Sequence, residues 1–197
     1  QERSVGHRAG GAKRTAMGCC FGKGNEELPP AFDPVIGLST RLRAPTIVVD
    51  GNTISGSGSI FADSPVLQDK AYFEATLTSA GSFAIGVATR DAPLEGVLSQ
   101  DKSAGQAAMA WTITNSVCDL QPGAVIGCAL DQGDYPVQVY FYSEGRVIHQ
   151  ISGIRGEVLP AFSVSDGATL EANFGGREYA QGMPAGFQGI IKSMSLL

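Results

Sequence analysis

The chain has 197 residues, of which 43% are hydrophobic, 17% charged and 8% aromatic, which is enough apolar material for one domain with a substantial core and excludes a fully disordered chain. Its 26 glycines and 10 prolines suit turns between short strands and burden helix interiors, which excludes an all-helical bundle. The formal charge of −5 hides an asymmetry: Arg3, Arg8, Lys13, Arg14 and Lys23 against Glu2 give residues 1–24 a net +4 and leave residues 25–197 at −9.

Residues 1–34 read as a flexible basic and Pro-rich head. They show almost no hydrophobic periodicity and end in Leu28-Pro29-Pro30 and Asp33-Pro34, a stiff extended link. The head lacks the apolar core of a secretory signal, and no apolar run in the chain approaches the ~20 residues of a membrane-spanning helix. Four cysteines, two of them adjacent, form no disulfide framework, so the expected compartment is the cytoplasm. Within the head stands Met17-Gly18-Cys19-Cys20. If translation starts at Met17, Gly18 becomes an N-terminal acceptor for a myristoyl chain, with Cys19 and Cys20 beside it for palmitoyl chains. One acyl chain holds a protein marginally, whereas two, or one with a basic neighbour such as Lys23, hold it stably at a membrane. Gly22 stands where that signal usually has Ser or Thr, and the other reading is an exposed pair of thiols.

From residue 35 to residue 192 the pattern is one of short β-rich runs separated by turn chemistry, followed by a tail over 193–197. The runs fall at residues 46–49, 72–77, 83–89, 108–113, 124–130, 137–142, 147–151, 158–164 and 169–174, about ten strands in all. Asp50-Gly51-Asn52 and Ser143-Glu144-Gly145 are turns between them, and Asp131 to Asp134 is a third. Alternation is clearest where Val137, Val139 and Phe141 interleave with Gln138, Tyr140 and Tyr142, one face buried and the other wet. A turn or two of helix is expected near residues 93–98. Strands at this spacing predict an all-β antiparallel sandwich.

Seven motifs in order carry a resemblance: Lys70-Ala-Tyr-Phe-Glu74, Phe83-Ala-Ile-Gly-Val-Ala88, Pro122 to Asp131, Val139-Tyr-Phe-Tyr-Ser-Glu-Gly145, Leu159-Pro-Ala161, Asn173-Phe-Gly175 and Pro184-Ala-Gly-Phe187. Together, over residues 45–190, they resemble the SPRY (B30.2-type) domain. Gly56-Ser-Gly-Ser59, Ala62-Asp-Ser-Pro65, Gly86-Val-Ala-Thr89 and Ser152-Gly-Ile-Arg-Gly156 resemble, more narrowly, the small single-domain SPRY domain-containing protein 7 family. Three positions depart from the usual residues: Phe83 replaces Trp, Glu144-Gly145 replaces Asn-Gly, and Gly123-Ala124 replaces Gly-Asp. The resemblance implies a bent, concanavalin-like jelly-roll sandwich whose loops at one end grip a partner protein, without catalysis or cofactor. On that basis the partner-contact residues are Asp50, Asn52, Asp63, Arg90, Trp111 and Arg155, with the loops around them. Arg155 is bracketed by Gly153 and Gly156, which free the backbone to present its guanidinium to a carboxylate; a structural ion pair fastening the loop is the other reading.

The remaining reactive side chains do not assemble a chemistry. Cys118, Cys128 and His149 lack zinc-site spacing, and Cys128 sits inside an apolar run. Ser99-Gln-Asp-Lys102 matches Ser-x-x-Lys without its partner motifs, and neither a nucleophile elbow nor a phosphate loop occurs. The acidic domain has no basic patch with interleaved aromatics, which argues against nucleic acid. Two functions survive: a protein-binding module, tethered or not by its head, and a structural subunit of a larger cytoskeletal or ciliary assembly.

Overall fold

The computed structural model describes residues 36–99 and 109–192, all in the unit that begins at Pro34. Gly18, Cys19 and Cys20 lie outside the described residues. Among the described residues, thirteen strands form two sheets. The first holds β1 (Leu38–Arg43), β4 (Gly58–Ala62), β11 (Val158–Ser165), β6 (Ser82–Thr89) and β7 (Ala110–Thr114), in the order β1-β4-β11-β6-β7. The second runs β10-β9-β8-β5-β12-β3-β2, from β10 (Arg146–Ser152), β9 (Gln138–Ser143), β8 (Val125–Asp131) and β5 (Lys70–Ser79) to β12 (Thr169–Asn173), β3 (Thr53–Gly56) and β2 (Ile47–Asp50). A two-residue strand, β13 (Gln188–Gly189), adds to β5 in parallel; every other pairing is antiparallel. The all-β sandwich expected from the sequence is the fold observed.

Period-two alternation decides what lies between the sheets. Phe73 from β5 and Phe162 from β11 meet edge-to-face across the gap at 5.8 Å, and Phe174, just past β12, closes the cluster at 5.9 Å from Phe162. Such pairs add about 0.5–1.5 kcal/mol each beyond the area they bury. Phe83, where the family usually has Trp, is fully buried in the same core. The β9 alternation holds as expected, with Val139 and Phe141 buried and Gln138, Tyr140 and Tyr142 half-buried on the other side. The Glu144-Gly145 turn places both residues at positive φ, 50° and 71°, the geometry a two-residue hairpin demands. The sequence reading missed β1, β3, β4 and β13.

Part of each outer face is covered by irregular chain. On the first sheet the segment of residues 92–98 lies on the outer face, burying Ala92 and Leu98 against Phe61, Ala84, Ala88, Leu159 and Ala161. Buried hydroxyls fasten it: Ser59 and Ser163, partners across β4 and β11, lie 2.7 Å apart, Ser59 donates to the Gly96 carbonyl, and Ser163 accepts from the Leu98 amide. The helical turn expected near residues 93–98 is therefore absent; those residues follow the sheet surface, and hydroxyls of the sheet satisfy backbone groups that a helix would have paired internally.

On the second sheet, residues 174–190 form a strap over Tyr72 and Glu74, the outward pair of β5. Glu74 is 2% exposed and accepts three hydrogen bonds, from the Tyr72 hydroxyl at 2.9 Å and from the Ala180 and Gln181 amides at 2.8 Å each. Tyr179 packs edge-to-face on Tyr72 at 4.9 Å and donates to the Tyr72 carbonyl. Position 127 must be glycine, because a Cβ there would stand 2.2 Å from the Tyr72 hydroxyl. Farther along, the Gln68 amide donates to the Gly189 carbonyl, and Lys192 pairs with Asp63.

Two outcomes test the strap. Glu74→Gln turns an amide NH2 toward an N–H donor and should cost about 1–3 kcal/mol, read as a lower urea midpoint, with faster hydrogen exchange over residues 174–190. Burial first, then Glu74, pushes the Tyr179 phenol up to about 12, and burial with the Glu74 hydrogen bond also raises that of Tyr72. Folding thus favours the neutral phenols, so this stabilisation is complete below the unfolded value near 10 and is lost as pH rises through about 12. Stability measured by urea at pH 8, 9.5 and 11 should fall above pH 10, and Tyr179→Phe should flatten that fall.

Candidate functional site

The ends of the sandwich carry its loops. Register identifies one end: Val158 lies opposite Thr89 in the first sheet, while Lys70, Asp131, Gln138 and Ser152 lie level across the second. The connections β4–β5, β6–β7, β8–β9 and β10–β11 all emerge here. Three are stitched together. The Val66 amide donates to the Val158 carbonyl at 2.9 Å, and the Gly153 amide donates to the Val137 carbonyl at 3.0 Å. Gln132 spans the rest, its side-chain amide donating to the carbonyls of Val66 and Gln68 at 3.1 and 3.0 Å and its backbone amide to that of Asp69. These bonds make one surface from segments far apart in sequence.

The structure brings Asp63, Arg90 and Arg155 to this end. Arg90 and Arg155 are exposed and make no ion pair or side-chain hydrogen bond with the described residues, so the structural ion pair considered for Arg155 is not formed among them. Gly153 and Gly156 on either side of Arg155 both adopt φ of 81°. Asp63 is engaged internally, accepting from the Gly37 amide and pairing with Lys192. Asp50 and Asn52 lie elsewhere, on the β2–β3 hairpin at the edge of the second sheet. The Asn52 carbonyl accepts from the Ala172 amide, level with Ala75 and five residues short of the Lys70 end. Trp111, expected in the strand run 108–113 and named as a partner contact, does sit within β7, on the same side as Ile113 and opposite Val87, but it is 3% exposed in the core between the sheets and so offers no surface to a partner.

Sequence reasoning left two residues out of its partner-contact set. Leu67 in the β4–β5 connection is 59% exposed and Tyr135 in the β8–β9 connection is 82% exposed. Beside them lies an open cleft of about 690 Å³ lined by Leu67, Gln68, Asp69, Lys70, Gly133, Asp134, Gly186 and Gln188. Tyr135 had a readable signal: an aromatic set between Asp134 and Pro136, outside any alternating run. Leu67 had none, since its neighbour Val66 is buried.

Of the described cysteines, Cys128 is buried and Cys118 half-buried. Burial raises Cys128 well above its ordinary value and pushes Cys118 up to about 11. His149 lies against the Phe141 ring, with centroids 6.2 Å apart. Among the described residues no three His, Cys, Asp or Glu side chains are grouped to hold a metal ion, and no helix is long and apolar enough to cross a membrane.

A family model for the SPRY domain matches residues 70–177. The chain is 29% identical over 192 residues to the SPRY domain-containing protein 7 of Homo sapiens and to that of Mus musculus, an alignment that covers 88% of this chain and 92% of theirs. It is 31% identical over 187 residues to the SPRY domain-containing protein 7 of Gallus gallus, covering 87% of this chain and 91% of that one.

Removing the Gln132 stitch isolates the loop end from the sandwich. Gln132→Ala should cost about 1 kcal/mol and accelerate hydrogen exchange at residues 66–69 and 132–137, leaving the protection of β6 and β11 unchanged; equal loss across the sheets would show that the stitch is not local.

Proposed function

The chain belongs to the SPRY-domain family, and from that premise we propose that its Lys70 end recognises a short segment or surface of a partner protein, without catalysis. SPRY domains are generally protein-interaction modules. The observation that carries the reading is the stitched end itself, where backbone bonds and Gln132 hold three connections in one arrangement. A surface ordered before the partner arrives loses less conformational entropy on binding. Arg90 and Arg155 are basic side chains there that form no ion pair with the described residues, and a guanidinium fork pairs best with a carboxylate or backbone carbonyls.

The head adds a second element to the proposal. Acyl chains on Gly18, Cys19 and Cys20 would hold this module at the cytoplasmic face of a membrane, with Lys23 adding attraction to anionic lipid. Fractionation of the wild-type chain with membranes, lost in Gly18→Ala, tests that element separately.

For the module, the test is affinity capture from native lysate with the full chain, comparing wild type, Arg90→Ala with Arg155→Ala, and Asp50→Ala with Asn52→Ala, each verified as folded by its urea midpoint. A partner retained by wild type and by the hairpin variant, and at least tenfold depleted by the arginine variant, is expected. Depletion only in the hairpin variant moves the interface to the β2–β3 edge. A partner set indifferent to both, yet co-purifying in fixed stoichiometry, replaces the module with a subunit of a larger assembly.

A further inference from the structure

We propose that the cleft between the β4–β5 and β8–β9 connections takes a basic segment of a partner protein, an extended stretch in which an Arg or Lys side chain is flanked by an apolar one. This rests on the loop-end reading and adds to it the chemistry of the partner. The apolar half of the argument is exposure. Leu67 and Tyr135 stand open to solvent beside the cleft, and so does Ile191, whose amide donates to the side-chain oxygen of the cleft residue Gln68. Leu67 lines the hollow, Tyr135 follows its lining residue Asp134, and Ile191 is bonded to Gln68; exposed apolar side chains gathered there are the composition of an anchor site, and an exposed tyrosine offers area at little entropic cost.

The polar half is charge. Asp69 and Asp134 line the cleft, both exposed, and neither forms an ion pair with the described residues. Asp131 flanks them and is held at 3.0 Å by Lys70, whose ammonium also sits 5.5 Å from the centre of the Phe187 ring. Lys70, the one cation among the described residues that line the cleft, is thus engaged from two sides, and the three aspartates exceed it by two charges. Residues 25–197 as a whole carry −9, so the wider field has the same sign. An acidic segment would be repelled here, a neutral one would leave the aspartates without partners, and a cationic side chain would meet Asp69 and Asp134 together. The Tyr135 ring, next in the chain to Asp134, adds a face for a guanidinium. Arg90 and Arg155 belong to the first-sheet side of the same end, so a partner chain running from the cleft toward them would present basic and then acidic groups.

The test is selection of random twelve-residue peptides displayed on phage against the immobilised full chain, followed by binding of the selected peptides, synthesised with a fluorophore, measured by anisotropy at 50 and 300 mM NaCl. Peptides enriched in Arg or Lys beside Leu, Phe or Trp are expected, with binding at least tenfold weaker to Asp69→Asn with Asp134→Asn and to Leu67→Ser with Tyr135→Ser, and weaker at the higher salt. All four positions are exposed, and unchanged urea midpoints confirm folding. Selected peptides that are acidic or neutral, peptides that bind both double variants as well as wild type, or a selection that enriches nothing would each overturn the proposal. Peptides insensitive to the cleft variants but lost with Arg90→Ala and Arg155→Ala overturn the cleft while leaving the loop-end reading standing; peptides insensitive to all of these remove both.

Discussion

A carboxylate buried with three hydrogen-bond donors and no cation beside it is the constraint from which much of this molecule follows. Glu74 faces outward from the central strand of the larger sheet, where solvent would ordinarily meet it, and it is buried because the last segment of the fold lies on top of it. Charge-assisted bonds from the Ala180 and Gln181 amides and from the Tyr72 hydroxyl replace the lost water. Each donor depends on the others' geometry. The amides converge only if residues 179–181 cross β5 at this level, the hydroxyl reaches only if position 127 has no side chain, and the crossing is held by Tyr179 on Tyr72. The strap therefore behaves as part of the fold, and residues 174–190 cannot be separated from the sheet they cover without stripping Glu74 of its two amide donors.

The smaller sheet solves the same problem with different chemistry. Its outer face is apolar, with Ala84, Ala88, Ala110 and Ala161 beside Phe61 and Leu159, and the chain that covers it is held by neutral hydroxyls of Ser59, Ser163 and Thr112. Small side chains let backbone approach closely, and the serines satisfy backbone groups that would otherwise be buried without partners. With one face closed by a carboxylate and the other by hydroxyls, the accessible irregular structure concentrates at the ends of the strands. This is why loops that are distant in sequence act as one surface, and why side chains can vary there without disturbing either coat.

What the sequence revealed and what it concealed divide along physical lines. Strand β9 was legible because an alternating run has one buried face, and Phe141 against Tyr140 and Tyr142 states it plainly. Strands β3 and β4 were not, because the segment from Thr53 to Ala62 is rich in Gly and Ser and both faces of β4 are buried, which erases alternation. The helical turn near residues 93–98 was expected from local composition, and tertiary hydroxyls overrode it. Trp111 was named a partner contact although it falls within the strand run 108–113, and its parity with Ile113 already assigned it to the inner face. The arginines at positions 90 and 155 were readable from their turns; their arrival at the same end required the registers of β6 and β11.

Glu74 is the instructive failure. In sequence it is one acidic residue in a β-rich run, indistinguishable from a solvated position, and only the strap makes it central. The same logic explains why Leu67 escaped notice: exposure of an apolar side chain is a property of what fails to cover it. A cover is supplied by distant chain, and distant chain is what a local pattern does not encode. The residues that fasten this fold and the residues left open by it are therefore the two classes hardest to read in advance. They are linked, because residues 174–190 that bury Glu74 end at Gly186 and Gln188 on the wall of the cleft beside Leu67. Stability and recognition meet in one segment, so the geometry of the cleft wall is set in part by a hydrogen-bonded carboxylate on the neighbouring face of the sheet.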